Sequence, residues 1–517
     1  MKVLFVNPSL RPKAPHRYLP VGLGYVVTAV KEAGIAFDLL DIDAGDYTDS
    51  YVEGYLEKHR YDVIALGSIV THYKWVKWFI STVKRLQPTC HVIVGNSVGS
   101  SMPEILFHHT PVDTIVLGEA DVTIVELLKA LRSGKPLGEI VEPFKPIPHT
   151  NGDLPSTYEG KGVAGLVFRD SKGRIVNNGR RPAVKKVDDL PWPDWDLFDV
   201  QTYIERGRLT AHENVHYYAP EQAVVFPVNT ARGCVFKCTF CHYVFWNDPY
   251  RHRSPTSIVG EIRRNQEKYG ANYIHFWDEL SFHKLGPAER VLDALIAADL
   301  GVHFTAAVRS DLFGRPDLAF EDRRRVAEKF VRAGCLVLAF SLESGDDDIL
   351  DAMNKRVKAQ FFRDQVKILR EVGLVTSTSL VFGYPQETPE TISRTLKLCE
   401  ELNIYPSAGY LLPFPSTGMW KHAVDNGFIR DCEQFLLDVT ERQDFIINMT
   451  TMPDDVYVRT VTDGLADLNR KFGNTLEANA LFKTGGYQEH DKNQTRDVDR
   501  HRNYVNTLNY ATVAGAV

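Results

Sequence analysis

Short apolar segments alternate with segments of helical spacing through residues 1–130. Each apolar segment is long enough for a buried strand and ends in small or turn-forming residues. The segments between them, such as 22–33 and 73–86, repeat their apolar residues as an amphipathic helix does. Strands that alternate with helices predict an α/β fold in which residues 1–137 form a Rossmann-like, doubly wound parallel sheet. Its strands are predicted at residues 2–6, 36–41, 63–68, 91–94 and 114–117.

A second series of strands and helices occupies residues 223–430. Its helices have clear beginnings, since Ser254 precedes Pro255 and Thr388 precedes Pro389, in each case a capping residue followed by a proline in the first turn. Six strand–helix units with right-handed crossovers predict a partial (β/α)6 barrel, whose reacting groups gather at the carboxyl ends of the strands. The six strands begin near Val224, Tyr273, His303, Cys335, Val375 and Ala408.

The linker between these domains, residues 138–222, is irregular and rich in proline. A small hairpin is predicted within it at residues 165–176. Residues 190–198 combine prolines with two tryptophans, which a solvated linker would not need, so we expect this stretch to pack across the domain junction. After the barrel, residues 431–517 are expected to form a mostly helical region with a polar tail at 488–502.

The composition is that of a globular protein, since 44% of the 517 residues are hydrophobic and 24% are charged. No apolar run approaches the roughly 20 residues that span a bilayer, so membrane insertion is not expected. A net charge of −6 with mixed signs argues against sequence-independent nucleic-acid binding, which needs a basic face. The first apolar segment is too short for a signal peptide, and the scattered cysteines fit free buried thiols. We therefore expect a reducing, cytoplasmic location.

Three cysteines lie close together after the first barrel strand. Cys234, Cys238 and Cys241 are separated by three and two residues, so their thiols can bind one metal centre from one side. An iron–sulfur cube usually takes four cysteines, and a cube held by three keeps one iron open for another molecule. From the residues alone, three other sites stay open: a structural zinc with His242 as the fourth ligand, a C-x-x-C-H haem attachment site, and a redox dithiol.

The cysteine spacing resembles that of the radical S-adenosylmethionine (SAM) family. Phe240, just before the last cysteine, stands where these enzymes pack an aromatic ring against the SAM adenine. The resemblance implies a [4Fe–4S] cluster whose open iron binds the amine and carboxylate of SAM. It also implies that one electron splits SAM into methionine and a 5′-deoxyadenosyl radical, and that a donor such as flavodoxin or ferredoxin supplies the electron.

Polar residues at the predicted strand ends extend this resemblance. Asp278 and Glu279 follow the second strand, where the family contacts the SAM amine, although the common Gly-Gly-Glu is absent. The resemblance implies that Arg309, after the third strand, pairs with the SAM carboxylate. Ser341 and Glu343, after the fourth, correspond to the ribose and methionyl contacts. Each of these residues alone is equally typical of a helix cap or a surface ion pair.

The N-terminal domain is similar to the cobalamin-binding domain that precedes many radical SAM domains. The segments that carry the likeness are residues 19–24, 41–43, 92–96, 103–104 and 116–119. It implies a corrin over the strand ends, whereas a lid that binds nothing is the alternative. The motif D-x-H-x-x-G is absent, so base-off cobalamin is expected. His72 is placed to reach the cobalt, but a loop or cap role is the favoured interpretation. The implied cobalamin contacts are Pro20, Gly22, Ser68, Gly95, Asn96, Gly118 and Glu119.

Together these resemblances indicate a cobalamin-dependent radical SAM methyltransferase of class B. Such an enzyme transfers a methyl group from methylcobalamin to an unactivated carbon, or to phosphorus, of a specialised metabolite, its small-molecule substrate. Two alternatives stay open. One is an oxidoreductase or cyclase of the same architecture that transfers no methyl group. The other is a sensor that holds cobalamin and the cluster without turnover.

Overall fold

The structure is a computed structural model that describes residues 1–12, 14, 16–135, 137, 162–212, 222–242, 248–440, 444–474, 476, 478 and 481–482. The predicted polar tail and the first prolines of the linker lie outside these described residues. The division of the chain after residues 137, 222 and 430 stays a prediction.

The described residues form strands β1 to β16 and helices α1 to α17, with short 3-10 helices at Val70–His72, Val187–Asp189 and Trp195–Leu197. The strands are β1 (Val3–Asn7), β2 (Asp38–Asp41), β3 (Val63–Gly67), β4 (His91–Gly95), β5 (Thr114–Val116), β6 (Leu166–Arg169), β7 (Ile175–Asn177), β8 (Val225–Val228), β9 (Ala231–Arg232), β10 (Arg251–His252), β11 (Tyr273–Phe276), β12 (His303–Ala307), β13 (Cys335–Ala339), β14 (Val375–Ser377), β15 (Ser379–Phe382) and β16 (Ser407–Tyr410). The helices are α1 (Val21–Glu32), α2 (Ile42–Gly45), α3 (Asp49–Lys58), α4 (Tyr73–Leu86), α5 (Asn96–Ser101), α6 (Pro103–His109), α7 (Thr123–Ser133), α8 (Val200–His212), α9 (Pro255–Tyr269), α10 (Leu285–Ala298), α11 (Phe320–Arg332), α12 (Asp347–Ala352), α13 (Ala359–Glu371), α14 (Pro389–Glu401), α15 (Gly418–Asp425), α16 (Cys432–Asp438) and α17 (Asp454–Lys471).

The first domain is built on a seven-stranded sheet in the order β2-β1-β3-β4-β5-β6-β7. Its first five strands are parallel, as the alternating pattern predicts, and β1 is buried along its whole length. Strands β6 and β7 are the predicted hairpin of the linker, and they continue the same sheet as antiparallel strands next to β5. The hairpin therefore completes the first sheet instead of standing alone between the domains.

The second domain contains a parallel five-stranded sheet in the order β14-β13-β12-β11-β8, followed by the parallel pair β15-β16. This is the predicted partial barrel with one difference, because the strand predicted from Val375 is divided into β14 and β15. Thr378 separates the two pieces: its hydroxyl donates to the Phe340 carbonyl at 2.9 Å and accepts from the Leu342 amide at 2.9 Å. A side chain thus replaces ladder hydrogen bonds at the break.

Helix starts in the barrel follow the sequence signals. The Ser254 hydroxyl accepts from the Ser257 amide at 3.2 Å, with Pro255 in the first turn of α9. Thr388 and Thr391 form a reciprocal capping box at the start of α14, again with a proline in the first turn. These caps fix where each helix leaves the carboxyl edge of the barrel, which is the edge that carries the candidate site.

Residues 190–198 pack across the domain junction as expected. Trp195 is fully buried and lies against Gly24 of α1, where a Cβ would come within 2.8 Å of the indole. Trp192 lies against Gly260 of α9, where a Cβ would come within 2.7 Å of that ring. One short segment therefore inserts an indole into a glycine gap on each domain. Within the described part of the chain, no helix combines the length and apolar character needed to cross a membrane.

Candidate cofactor site

The cysteine loop, Cys234 to Cys241, follows β8 and the short strand β9 on the carboxyl edge of the barrel sheet. Strand β9 leads into it and pairs antiparallel with β10, which holds its base. Gly233 has a φ of 95°, and a Cβ there would lie 3.0 Å from the Pro249 carbonyl oxygen. Only glycine fits this turn without strain, and it directs the chain from β9 to Cys234.

Asp278 fixes the segment between β8 and β9, which leads into the cysteine loop. Its carboxylate accepts hydrogen bonds from the Thr230 amide at 2.9 Å, the Thr230 hydroxyl at 2.6 Å, and the Ala231 amide at 3.2 Å. The Asn229 side chain donates to it at 3.2 Å. Asp278 was predicted to contact the SAM amine. In the structure its carboxylate accepts these four hydrogen bonds, which position the chain before Cys234, and the SAM contact stays a prediction.

The far half of the loop is held by the segments that follow β13 and β15. The Thr239 amide donates to the Met353 carbonyl at 3.0 Å, and the Asn354 side chain donates to the Lys237 carbonyl at 2.8 Å. The Thr239 hydroxyl shares a hydrogen bond of 2.7 Å with the buried Tyr384 hydroxyl. Three strand ends of the barrel therefore converge on a loop of eight residues, Cys234 to Cys241.

The three thiols form one electrostatic group. Burial raises the pKa of each: Cys238 to about 11, and Cys241 well above its usual range, with the neighbouring Cys238 and Cys234 adding to the rise at Cys241. Yet no set of three or more His, Cys, Asp and Glu side chains is gathered around a point that could hold one metal ion, among the described residues. Three cysteine thiols on one short loop are the ligand type that iron–sulfur clusters take. His242 instead has its ring 5.2 Å from that of Phe414.

A buried ion pair lies beside the cysteines. The Lys355 Nζ is 2.9 Å from the Glu343 Oε1, and the two side chains are only 12% and 8% exposed. Burial lowers the pKa of Lys355, but Glu343 and Cys238 raise it by more, so the group remains an ammonium. Glu343 was predicted at this site and Lys355 was not. The one sequence signal is that Lys355 stands twelve residues after Glu343, at the end of a helical segment.

The other predicted SAM contacts lie around the loop. Phe240 has its ring centroid 6.3 Å from that of Tyr384, edge to face. The Arg309 guanidinium stands 4.4 Å over the Phe236 ring and is paired with Asp311. Glu279 is exposed and close enough to Cys234 to raise the pKa of that thiol. The Ser341 hydroxyl accepts from Ser379 at 2.7 Å. The structure thus brings the three cysteines, Phe240, Arg309, Glu279 and Glu343 to one edge of the barrel.

The predicted cobalamin contacts lie at the carboxyl edge of the first sheet. Gly67 and Gly95 are paired across β3 and β4, so Ser68 and Asn96 leave the sheet side by side. Asn96 has a φ of 61°, and Gly118, after β5, has a φ of 71°. Pro20 and Gly22 stand at the beginning of α1, where a Cβ on Gly22 would meet open space. Short residues therefore line this edge.

Two buried hydroxyls at this edge are not among the residues predicted from the sequence. Thr71 follows β3 and Ser97 follows β4, and neither side-chain oxygen has a hydrogen-bond partner among the described residues. Buried polar atoms normally find partners, so these two fit the polar groups of a cobalamin nucleotide tail. His72 shares a hydrogen bond of 2.9 Å with Ser68 through its Nδ1 and stacks on Trp75 with centroids 5.0 Å apart. The loop or cap role favoured for it stays a prediction.

Buried ion pairs join the two edges. The Asp121 carboxylate accepts from the Arg232 guanidinium at 2.8 and 3.1 Å, and Glu119 accepts from Arg251 at 2.5 and 3.1 Å. Arg180 donates to Asp248 at 2.6 Å and also fills the space beside Gly118. Glu119, expected to contact cobalamin, thus binds the barrel. The Asp121–Arg232 pair therefore joins the carboxyl edge of the first sheet to β9, the strand that precedes Cys234.

Two family models match the chain, and they match it in these two domains. The model of the B12 binding domain covers residues 10–128, and the model of the radical SAM superfamily covers residues 228–399. The first match contains the short residues of the first sheet edge, and the second contains the cysteine loop and the strand ends around it.

Several curated proteins are similar over most of their length. An uncharacterized methyltransferase of Pyrococcus horikoshii is 26% identical, over 83% of this chain and 84% of its own. Anaerobic magnesium-protoporphyrin IX monomethyl ester cyclase of Rubrivivax gelatinosus is 23% identical, over 84% and 72%. Cytidylyl-2-hydroxyethylphosphonate methyltransferase of Streptomyces wedmorensis is 21% identical, over 92% and 90%.

A solved structure shares the fold. The radical S-adenosylmethionine methyltransferase TsrM of Kitasatospora setae, with tryptophan substrate and a SAM analogue bound, superposes with a TM-score of 0.60 at 17% identity. The match covers 83% of this chain and 77% of that one. A solved protein therefore shares the fold over most of this chain.

Proposed function

We propose that this chain, which belongs to the radical SAM superfamily and carries a B12-binding domain, is a cobalamin-dependent methyltransferase that acts on an unactivated carbon, or on phosphorus, of a specialised metabolite. The observation that supports this most is the direct pairing of Asp121 with Arg232, which ties the cobalamin edge to the cysteine loop. Two cofactors held at one junction can act on one bound substrate without releasing it. Relatives named as methyltransferases cover most of the chain.

The cofactors are a [4Fe–4S] cluster, SAM and cobalamin, as the two domains imply. Cys234, Cys238 and Cys241 are the proposed cluster ligands, because they are the one group of neighbouring thiols in the described residues. When bound, the cluster and SAM supply a 5′-deoxyadenosyl radical, and cobalamin supplies the methyl group. The protein's part is to hold, orient and enclose these groups.

The residues around the cysteine loop have separate tasks in this proposal. Glu279, beside Cys234, is proposed to accept from the SAM amine, since Asp278 is engaged in holding the loop. Arg309 is proposed to pair with the SAM carboxylate, and Phe240 to pack on the adenine. Ser341 and Glu343 are proposed to contact the ribose and the methionyl group. Tyr384, which is buried behind Phe240, keeps water from that side.

The cobalamin contacts are proposed at the strand ends of the first sheet. Backbone groups approach a large flat ligand there because glycine and serine leave room. Thr71 and Ser97 join the predicted residues as donors to the polar tail. Glu119 is proposed to act by holding Arg251 in place. The remaining predicted contacts are Pro20, Gly22, Ser68, Gly95, Asn96 and Gly118.

A cyclase or oxidoreductase is the second candidate function. The Rubrivivax gelatinosus relative is named as a cyclase and is similar over 84% of this chain, and its name includes no methyl transfer. For either function we propose a small-molecule substrate, an electron donor such as flavodoxin or ferredoxin, and a cytoplasmic location. The location is supported by the cysteines, all of which are free in the structure.

The test is reconstitution under anoxic conditions with iron, sulfide, cobalamin, SAM and a low-potential reductant, followed by product analysis with candidate substrates. A methylated product with both S-adenosylhomocysteine and 5′-deoxyadenosine supports the methyltransferase. Formation of 5′-deoxyadenosine together with a product that differs from the substrate but carries no added methyl group supports the cyclase. If the loaded protein yields neither product with any candidate, the sensor interpretation replaces both.

Two cysteine variants make this test specific to the proposed cluster. Cys238→Ala should abolish deoxyadenosine formation, because it removes one of three ligands. Cys432→Ala is the matched control, since this partly buried thiol lies on α16, outside the loop. Deoxyadenosine formation that persists in Cys238→Ala would contradict the cluster assignment.

A further inference from the structure

Lys355 is a buried cation beside the cysteine loop that no part of the proposed reaction yet uses. Its side chain is 12% exposed and its one ion-pair partner in the described structure is Glu343, at 2.9 Å. Taking a lysine and its carboxylate partner out of water costs free energy that their attraction does not necessarily repay, and exposed lysines are far more common. Its position therefore calls for an explanation beyond the ion pair.

The backbone holds this ammonium in place. Helix α12 ends at Ala352, and the Lys355 amide donates back to the Leu350 carbonyl at 3.0 Å. Asn354 and Arg356, on either side of Lys355, have φ values of 53° and 55°, a conformation that non-glycine residues adopt rarely. Such a turn brings Lys355 back towards the cysteines instead of continuing the helix into solvent.

The same turn is bonded to the cysteine loop. Met353 accepts from the Thr239 amide at 3.0 Å, and Asn354 donates to the Lys237 carbonyl at 2.8 Å. Lys237 and Thr239 are the two neighbours of Cys238 in the chain. Lys355 lies close enough to Cys234, Cys238 and Cys241 for its charge to act on all three thiols. The turn that carries Lys355 is therefore bonded to the residues on both sides of Cys238.

We propose that Lys355 is a positioning residue that sets the reduction potential of the cluster held by Cys234, Cys238 and Cys241, with Glu343 as its counter-ion. This rests on the proposed cluster. Reduction adds one negative charge to a cluster, and the local charge and hydrogen bonds are what a protein uses to tune that step. A buried cation favours the reduced form, because charges interact more strongly where water is excluded.

The experiment is a redox titration of the reconstituted, SAM-free protein, followed by the EPR signal of the reduced cluster. Lys355→Met keeps the length of the side chain and removes its charge. We expect the equilibrium constant for cluster reduction to fall about tenfold, which is about 59 mV for a one-electron couple. Lys355→Arg keeps the charge and should stay within about twofold of the wild type. Lys358→Met is the matched control, since this exposed lysine of the same segment pairs with Asp351.

Glu343→Gln tests the same proposal with the opposite sign. It removes the carboxylate and leaves the ammonium, so the equilibrium constant for reduction should rise. Iron and sulfide per chain show whether Lys355→Met assembles a cluster. If it does not, the reduction potential of Glu343→Gln alone tests the tuning role. An unchanged or lowered constant in Glu343→Gln would then overturn the proposal.

Two further outcomes separate this proposal from its premises. If Lys355→Met has the wild-type potential but binds SAM more weakly in an equilibrium assay, Lys355 is a SAM contact and the tuning role is wrong. If the wild-type protein itself takes up no iron and sulfide, the cluster assignment and the proposed function fail, whatever the variants do. A potential that falls only in Lys355→Met, with normal iron content and SAM affinity, is the expected result.

Discussion

Glu387 is a buried acid outside the candidate site whose pKa is strongly raised. It lies in the turn after β15, is 1% exposed, and accepts from the backbone amides of Gly383 and Tyr384. Burial raises its pKa from 4.5 to about 8, against the effect of those two amides. Its other oxygen has no partner within the described residues. A neutral acid is therefore built into the fold at neutral pH.

This carboxyl group makes stability depend on pH in a predictable direction. Between about pH 4.5 and 8 the unfolded chain releases the Glu387 proton while the folded protein keeps it, so stability is full below this window and falls as pH rises through it. The slope from one such group is about 1.4 kcal/mol per pH unit. Between pH 5 and pH 8, the melting temperature of Glu387→Gln should fall less than that of the wild type. Thermal unfolding followed by circular dichroism measures this, with exposed Glu321→Gln as the control that keeps the wild-type slope.

Asp278 gives a second test at this scale. Replacing it with alanine leaves the Thr230 and Ala231 donors without their acceptor, at a cost of about 1–3 kcal/mol for the loop. We expect Asp278→Ala to lose iron to a chelator several times faster than the wild type. The measurement is the rate of iron release from reconstituted protein. Normal iron retention with weakened SAM binding would instead support the SAM-amine contact predicted from the sequence.

The residues of the site differ in how far the sequence reveals them. Cys234, Cys238 and Cys241 are visible because their ligand function depends on local spacing alone. Lys355 is not, because a lysine after a helix normally lies in water and only the fold brings this one to a loop more than a hundred residues earlier. Thr71 and Ser97 are hidden for the same reason, since hydroxyls are common in loops. Their lack of partners appears only in three dimensions.

At the scale of elements, local signals explain the starts of helices better than the ends of strands. The cap at Thr388 needs only residues within one turn, and the sequence predicts it correctly, whereas the reciprocal bond from Thr391 appears only in the structure. The break between β14 and β15 depends on Thr378 reaching Phe340 on another strand, and no local pattern contains that contact. The hairpin of β6 and β7 was predicted as a hairpin, but its attachment to β5 depends on long-range pairing.

The segment of residues 190–198 carries a prediction of its own. Trp195→Ala removes a fully buried indole that fills the gap above Gly24, so it should cost about 3–5 kcal/mol. Trp192→Ala should cost less, because that ring is only partly buried. Thermal unfolding compares them, with Phe320→Ala as a control at a side chain that is 45% exposed. Equal effects of the two tryptophans would show that burial against α1 is not what anchors the segment.

For the molecule as a whole, the sequence predicts two domains, their order and the packing of residues 190–198 across their junction, but not the ion pairs that join them. The alternation of strands and helices identifies each domain separately, since it is a property of neighbouring residues. The pairs Arg232–Asp121 and Arg251–Glu119 link residues more than a hundred positions apart, and charged residues at strand ends are equally typical of surface positions. The ion pairs make the domain junction continuous with both candidate sites.

The Asp121–Arg232 pair predicts that cobalamin protects the cluster. Any ligand that stabilises the first-sheet edge also stabilises what is rigidly bonded to it, and the effect is reciprocal. Cobalamin should therefore slow iron loss to a chelator in the wild-type protein. Asp121→Asn leaves buried Arg232 with its weaker partner Glu119, at 3.6 Å, at a cost of up to about 3–5 kcal/mol, and should abolish most of that protection.

Two controls decide whether the junction is the cause. Asp170→Asn removes the acid of a surface ion pair on the hairpin of the same sheet, with Arg174 as its partner, and should keep the protection. Cobalamin affinity, measured by equilibrium binding, should change far less in Asp121→Asn than the chelation rate does, because Asp121 faces the barrel. If cobalamin protects the iron equally well in Asp121→Asn, the two sites are coupled through another contact, and the packing of Trp192 and Trp195 becomes the next to test.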